Sequence, residues 1–412
     1  MSGKTSQRAL SAAISQGILG SPSLTYEPGK PKHAGLFYDL DEFESGLDRA
    51  EEAFGKDVLH AIAVKANPGH GLECASITEV LHGMDLGFPP EKIVFDSPVK
   101  TEPELKFALE NGIHVNVDNY QELERITAII NDQGQTKSSV GIRLKPILGV
   151  GAVKALSTCT ADSKFGVQLT DSSKEEIISW YLDRPWLTAV HIHIGSQSFD
   201  CSDLTCGVKC VVDFALEVNG RLGKKQIHTI DIGGGLPANL EDDTTRPSFQ
   251  DYAETLKKEV PELFPSYGAF KKVITEFGQA FNAKAGWLVS RVEYTKKASD
   301  NLKIVLIHFG ARRVEVFSEE GQLKEGERMR YNIAGPLCFS GDVVKRDVLL
   351  PTVEEGDYLI LHDCGANSLS LFSRHCSRQA PAVLGRHGLD DLKTSEAETV
   401  DDLLIFWKGR EM

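Results

Sequence analysis

From residue 37 onward, short apolar and β-branched runs alternate with longer segments whose apolar positions recur every three to four residues. This pattern predicts parallel strands joined by crossover helices. Ile93-Val94-Phe95 reads as a strand; Thr101 with Glu104 three residues on predicts a capping box, and Asn111-Gly112 the end of that helix. Strand 113–117, helix 120–131, strand 140–144, a helix around 174–182 and strand "TAVHIHIG" (188–195) follow. A helix through 211–222, strand "HTIDIG" (228–233), helix 251–260 and strand "KVITEFG" (272–278) complete the series. With the runs near Phe37 and Val58 this makes about eight βα units, the count of a closed (β/α)8 barrel.

After residue 280 the helical periodicity stops. "WLVSRVEYTK", "LKIVLIHF", "MRYNIAG", "DVVKRDVLL" and "DYLILHD" read as strands separated by turn residues. The expected fold is therefore α/β: a TIM-like barrel over 37–280, a C-terminal all-β domain over 281–412, and an N-terminal segment 1–36 packing on the β domain.

Composition narrows the function. The chain has 412 residues, 41% of them apolar and 25% charged, which suits a globular enzyme of more than one domain. A net charge of −14 without a Lys/Arg cluster disfavours nucleic acid and anionic membranes as partners and leaves small molecules. Eight scattered cysteines fit reduced thiols in a cytoplasmic protein. Cys201, Cys206 and Cys210 share one expected helix, but their spacing is irregular and no histidine joins them, so no metal site is inferred. Residues 1–26 hold Lys4 and Arg8 but no acid, a faint transit-peptide character against the plainer reading of a helix.

In a parallel barrel the working residues gather at the C-terminal strand ends. Lys65, Glu73, Arg143, His193 with Ser196, Gly233-Gly234-Gly235 and Glu276 all stand there. A lysine closing a buried strand is partly desolvated and suited to Schiff-base formation. Three consecutive glycines let a backbone approach an anion closely. An amine for an aldehyde, a glycine turn for a phosphate, an imidazole for a ring face and a carboxylate together describe a pyridoxal 5′-phosphate pocket.

"AIAVKAN", "ECASITEV", "FDSPVKT", "VHIHIGSQ", "IDIGGGLP", "ITEFGQ", "GPLCFSGD" and "HDCGA" stand in the order and spacing of the fold-type III pyridoxal-phosphate decarboxylases. Over roughly residues 37–385 the chain is most similar to diaminopimelate decarboxylases, with ornithine and arginine decarboxylases further off. The resemblance implies that Lys65 carries the cofactor, Glu73 sits near that linkage, and Arg143 lines the cofactor site. It implies that His193 stacks on the pyridine, Ser196 and Gly233 to Gly235 serve the phosphate, Glu276 pairs with the ring nitrogen, and Gly278 also lines the cofactor site. It also implies a head-to-tail homodimer in which the segment with Cys338 and Asp342 reaches the partner's site, Cys338 donating the proton. An acid rather than an arginine at 276 favours decarboxylation over racemisation.

Two departures stand out. Gln279, Phe339 and Asn367 occupy positions where the diaminopimelate branch has arginine, glutamate and tyrosine, which implies a less polar substrate side chain, although Arg312 or Arg313 could still hold a carboxylate. Asn367 also falls on the phosphate side. Further, only six residues separate Lys65 from Leu72, whereas a crossover between parallel neighbours ordinarily needs about ten or more. The first crossover helix is therefore expected to be missing, as a deletion in the gene or transcript would leave it, with Lys65 or Glu73 displaced. A decarboxylase, a racemase and an inactive relative with a binding role all stay open.

Overall fold

A computed structural model describes residues 3–20, 33–63, 70–147, 159–160, 162–196, 200–307, 313–372, 375–387, 391–395 and 397–408. The chain forms two compact units, residues 46–238 with 245–281, and residues 1–45 with 239–244 and 282–412.

In chain order the first strands are β1 (Ala34–Asp39), β2 (Val58–Ala63), β3 (Gly71–Cys74), β4 (Ile93–Phe95), β5 (His114–Val117), β6 (Val140–Pro146), β7 (Val167–Leu169), β8 (Leu187–His191), β9 (Thr229–Asp231) and β10 (Lys272–Thr275). All except β1 form one parallel sheet in the first unit, ordered β5-β4-β3-β2-β10-β9-β8-β6-β7. Pairing of β5 with β6, Val115 opposite Val140, closes eight of them into a barrel, and β7 extends β6 outside the ring. Strands of such a barrel are covered on both faces, which is why β4, β5 and β6 are buried at every residue.

The capping signals hold. Thr101 and Glu104 make a reciprocal box on the helix Glu102–Asn111, which Gly112 ends at φ 78°. The helices Tyr120–Gln133, Asp171–Asp183, Cys201–Leu222 and Phe249–Glu259 lie where periodicity predicts them, each begun by an Asn, Thr, Asp or Ser whose side chain accepts an N–H of the first turn.

The expected strand at Phe37 does not belong to the barrel. β1 pairs antiparallel with β11 (Gly286–Arg291) and parallel with β18 (Ala382–His387) in the second unit. The barrel's remaining strand is β3 instead. β1 is buried along nearly its whole length, so its composition resembles that of a barrel strand. The strand named around "WLVSRVEYTK" is two, β11 and β12 (Tyr294–Ser299). With β1, β13 (Leu302–Leu306), β14 (Val314–Phe317), β15 (Arg328–Ala334), β16 (Val343–Pro351), β17 (Tyr358–Leu361), β18 and β19 (Asp391–Ser395) they form a six-stranded and a four-stranded sheet. Leu10 and Ala13 of the helix Gly3–Ser15 share a core with Phe37, Trp287, Phe317 and Tyr358. A helix, Val400–Lys408, does recur after residue 280, contrary to the expectation of an all-β end.

The short connection after β2 has a geometric answer. β2 and β3 are parallel neighbours, Ala61 opposite Gly71 and Ala63 opposite Glu73. From Ala63 to Gly71 the chain must return two residue steps and move across by one strand, roughly 8 Å in all, a distance seven residues can span; residues 64–69 lie outside the described residues. The next crossover, residues 75–92, contains the helix Ile77–Asp85. No helix among the described residues is long and apolar enough to cross a membrane.

Two glycines test this packing in opposite directions. A Cβ on Gly141 in β6 would stand 2.9 Å from the Ala189 Cβ of β8 and 3.0 Å from its carbonyl carbon, so Gly141→Ala is expected to destabilise the protein by about 1–3 kcal/mol. Gly220, exposed near the end of the helix Cys201–Leu222, meets nothing within 4 Å, so Gly220→Ala is expected to stabilise by about 0.5–1 kcal/mol. Thermal or denaturant unfolding of both variants reads the two signs.

Candidate cofactor site

The interior of the barrel unit is polar along one line. His114 and Asn116 face inward from β5, and Asp231 from β9; His114 Nε2 meets Asn116 Oδ1 at 2.9 Å, and Asn116 Nδ2 donates to Asp231 Oδ2 at 2.9 Å. All three are essentially inaccessible. Burial, with Lys272 adding to it, pushes His114 down to about 4, so this ring is neutral and serves the hydrogen-bond chain.

At the C-terminal ends of the strands lies a row of charges. Arg143, on β6, donates to Asp96 Oδ2 at 2.9 Å while its guanidinium covers the Phe165 ring at 4.5 Å. Asp96 directly follows β4, and its Oδ1 is 3.7 Å from His191 Nδ1 at the end of β8. His191 Nε2 is 3.4 Å from Oε2 of Glu276, the residue after β10. His193 Nδ1 lies 3.6 Å from the same Glu276 oxygen. Arg143, Asp96, His191 and Glu276 are all buried, and burying such charges is tolerable only because each has an opposite neighbour. Burial alone would lower His191, but Asp96, Glu276 and Asp231 outweigh it and raise it to about 9. Burial opposes the Glu276 carboxylate, yet His191 holds it well below the usual range. Burial and then Glu276 push Asp231 well above it, so of these two adjacent acids Glu276 carries the charge.

The glycine turn is built against the same groups. Gly233 has φ 66° and Gly235 φ 97°, conformations that side-chain-bearing residues rarely adopt. A Cβ on Gly233 would fall on the carbonyl oxygen of Ile192, one on Gly234 on that of Glu276, and one on Gly235 on that of Gly195. Two of the three N–H groups expected to serve a phosphate already have acceptors within the chain. Gly233 donates to Asp231 Oδ1 at 2.9 Å and Gly234 to His193 Nδ1 at 3.2 Å. Gly235 is the one of the three whose N–H meets no acceptor among the described residues.

The other expected residues fall as follows. Glu73 is buried in β3 between Ala63 and Val94. Ser196 follows the Gly195 turn, half-buried, and Gly278 and Gln279 open the short helix Gln279–Asn282. In the second unit, Cys338 and Phe339 stand exposed on the turn between β15 and β16, Phe339 60% exposed. Asp342, in the segment expected to reach a partner's site, accepts the Leu337 N–H at 2.7 Å and so closes its own turn. Arg313, expected to catch a carboxylate, is ion-paired with Asp243. Asn367 adopts φ 61° after β17. Lys65 and Arg312 lie outside the described residues.

These groups fit pyridoxal phosphate. Glu276 Oε1 is buried and meets no hydrogen-bond partner, and a protonated ring nitrogen is a donor suited to it. His193 has its side chain 21% exposed beside that acid, and the Gly235 N–H is available. Sequence reasoning missed Asp96, His191, Asp231 and Asn116. The signal was present: His191 and His193 share strand parity in "VHIHIG", and Asp96 and Asp231 close strands as Glu276 does.

The histidine has a consequence for stability. Its folded value of about 9 lies above the usual unfolded value near 6.5, so its contribution is complete below pH 6.5 and is lost as pH rises through 9. Unfolding of the cofactor-free chain should therefore become easier between pH 7 and 9.5, by up to roughly 3 kcal/mol, and His191→Gln should flatten that slope.

Comparison with known proteins agrees with the geometry. Residues 54–283 match the family described as pyridoxal-dependent decarboxylase, pyridoxal binding domain. The chain is 29% identical to the diaminopimelate decarboxylase of Helicobacter pylori over 395 residues, 90% of this chain and 94% of that protein. It is 29% identical to the Aquifex aeolicus enzyme of the same name, over 82% of this chain and 84% of that one. The crystal structure of the Helicobacter pylori enzyme complexed with L-lysine superposes with a TM-score of 0.78 at 25% identity, covering 93% of this chain and 98% of that one. The Methanocaldococcus jannaschii enzyme, crystallised with L-lysine, gives 0.78 at 26%, covering 90% and 91%. The chain belongs to the pyridoxal-dependent decarboxylases, enzymes that release carbon dioxide from amino acids with pyridoxal phosphate as cofactor.

Proposed function

We propose that this decarboxylase acts on an α-amino acid whose side chain ends in a less polar group than that of meso-diaminopimelate. Glu276 is the observation that supports decarboxylation at this site: a buried carboxylate, held ionised, with one oxygen left for a ring N–H. Bound pyridoxal phosphate supplies the electron sink for the pair left at the α-carbon when carbon dioxide departs. Glu276 keeps a proton on the ring nitrogen, His193 covers the ring, Arg143 fixes the neighbouring wall through Asp96, and the Gly235 N–H contributes to the phosphate cradle. Lys65 supplies the amine that carries the cofactor, with Glu73 beside it. Cys338 of a second copy returns the proton, which makes the working unit a homodimer.

The distal end carries the substrate argument. Gln279, Phe339 and Asn367 replace charged and phenolic groups of the diaminopimelate branch. Phe339 is exposed in the single chain; in the partner's site proposed for its segment, an ammonium buried against it without an anion would cost several kcal/mol, of which a cation–π contact would return about 1–2 kcal/mol. Asp342 and Arg313, already engaged within the chain, add little to replace the missing charges.

A second reading, a relative that keeps the fold as a binding or regulatory partner, draws support from one observation: the lysine falls in the shortened connection between β2 and β3. Two measurements test these readings. Across a panel of amino acids, carbon dioxide release is expected with apolar or singly charged side chains, and selective turnover of meso-diaminopimelate would overturn the substrate assignment. Borohydride treatment of the cofactor-loaded protein is expected to bleach its visible absorbance and label Lys65; absence of label favours the inactive relative.

A further inference from the structure

His191 is a wholly buried histidine with no part in the proposed chemistry itself. Groups from every surrounding strand face it: Asp96 from β4, His114 from β5, Arg143 from β6, Asp231 from β9, Glu276 from β10, and His193 two residues on. Its two nitrogens look at two different carboxylates, Nδ1 at Asp96 Oδ1 and Nε2 at Glu276 Oε2, at ion-pair separations of 3.7 and 3.4 Å. A neutral imidazole has one N–H and one lone pair, so it would turn a lone pair toward one of the two acids; only the doubly protonated ring turns an N–H toward each.

His193 cannot take over this task. Its Nδ1 accepts the Gly234 N–H, so the nitrogen nearest Glu276 offers a lone pair rather than a proton. Burial, with Arg143 adding to it, lowers His193. Arg143 is spent on the other oxygen of Asp96. Among the described residues the cation beside Glu276 is therefore His191, and the anion that secures His191 from behind is Asp96.

We propose that His191 is a positioning residue: an imidazolium anchored by Asp96 that orients Glu276 and keeps it anionic, so that the carboxylate's unpartnered oxygen is presented to the cofactor's ring nitrogen. This rests on the assignment of Glu276 to that nitrogen. Because the positive charge lies nearer the carboxylate than the ring, it favours the pair with the proton on nitrogen over the pair with the proton on the acid. Without His191 the buried acid gains basicity and draws that proton toward itself.

The test uses the intact chain loaded with pyridoxal phosphate carrying 15N in the ring, followed by NMR across pH, with Glu276→Gln, His191→Gln and Asp96→Asn. In the parent protein the ring nitrogen is expected in the protonated range at neutral pH. Glu276→Gln should move it to the neutral range; if it does not, the assignment of Glu276 fails. If Glu276→Gln moves it while His191→Gln and Asp96→Asn leave it at the parent value, the inference is overturned and the Glu276 assignment stands. The expected result is loss of the proton at a pH lower by about one unit or more in His191→Gln, and by less in Asp96→Asn. A second readout needs no cofactor. In the 15N-histidine-labelled chain, one buried imidazolium should persist above pH 8 and should lose its proton earlier in Asp96→Asn, whereas a neutral His191 at pH 7 would overturn the inference.

Discussion

The site depends on a buried row of alternating charges: Arg143, Asp96, His191 and Glu276, contributed by four strands of one barrel. None could stand alone in that interior, where an unpaired ion costs several kcal/mol. Together they balance, two cations against two anions, and each fixes where its neighbour points. The glycine turn is locked to the same row, since Gly234 lies against the Glu276 carbonyl and donates to His193. The acid, the ring-stacking imidazole and the phosphate turn are thus one interlocked construction, and moving any of them displaces the rest.

The second layer explains why the row can exist at this depth. Asp231 accepts from Gly233 and from Asn116, which in turn meets His114, so the floor of the site is a hydrogen-bonded chain of polar groups. Lys100 extends the pattern outward: buried, it donates to the carbonyls of Ser97 and Asn116 and pairs with Glu122 at 2.9 Å. It thereby fastens the segment after Asp96 to β5 and to the helix Tyr120–Gln133. A lysine in such a place is a structural clamp, which separates it in kind from the lysine expected to carry the cofactor.

Most of the fold was legible because caps and periodicity are local. Thr101 with Glu104 announces its helix regardless of what that helix packs on. What was not legible was non-local. Phe37 sits in a run as apolar as any barrel strand, and only its partners, Trp287 and Leu384, place it in another sheet. The connection after Ala63 looked too short because strand stagger, which brings Gly71 level with Ala61, cannot be read from a linear spacing. In the site, Glu276, His193 and the glycines carry recognisable motifs. The groups that tune them, Asp96, His191 and Asp231, do so through distances that exist only once the barrel closes. Gly233 and Gly234 illustrate the same limit, because the internal acceptors of their N–H groups, Asp231 and His193, come together only in the fold.

β1 sets an order of events during synthesis. It leaves the ribosome early, yet the strands that flank it, β11 and β18, emerge only after the entire barrel and near the chain's end. The barrel can complete its ring once β10 has appeared, whereas an apolar strand made before it must wait, exposed, for late partners. A nascent chain of this topology is at greatest risk of misassociation through its earliest strand, and chaperone protection would be needed there longest.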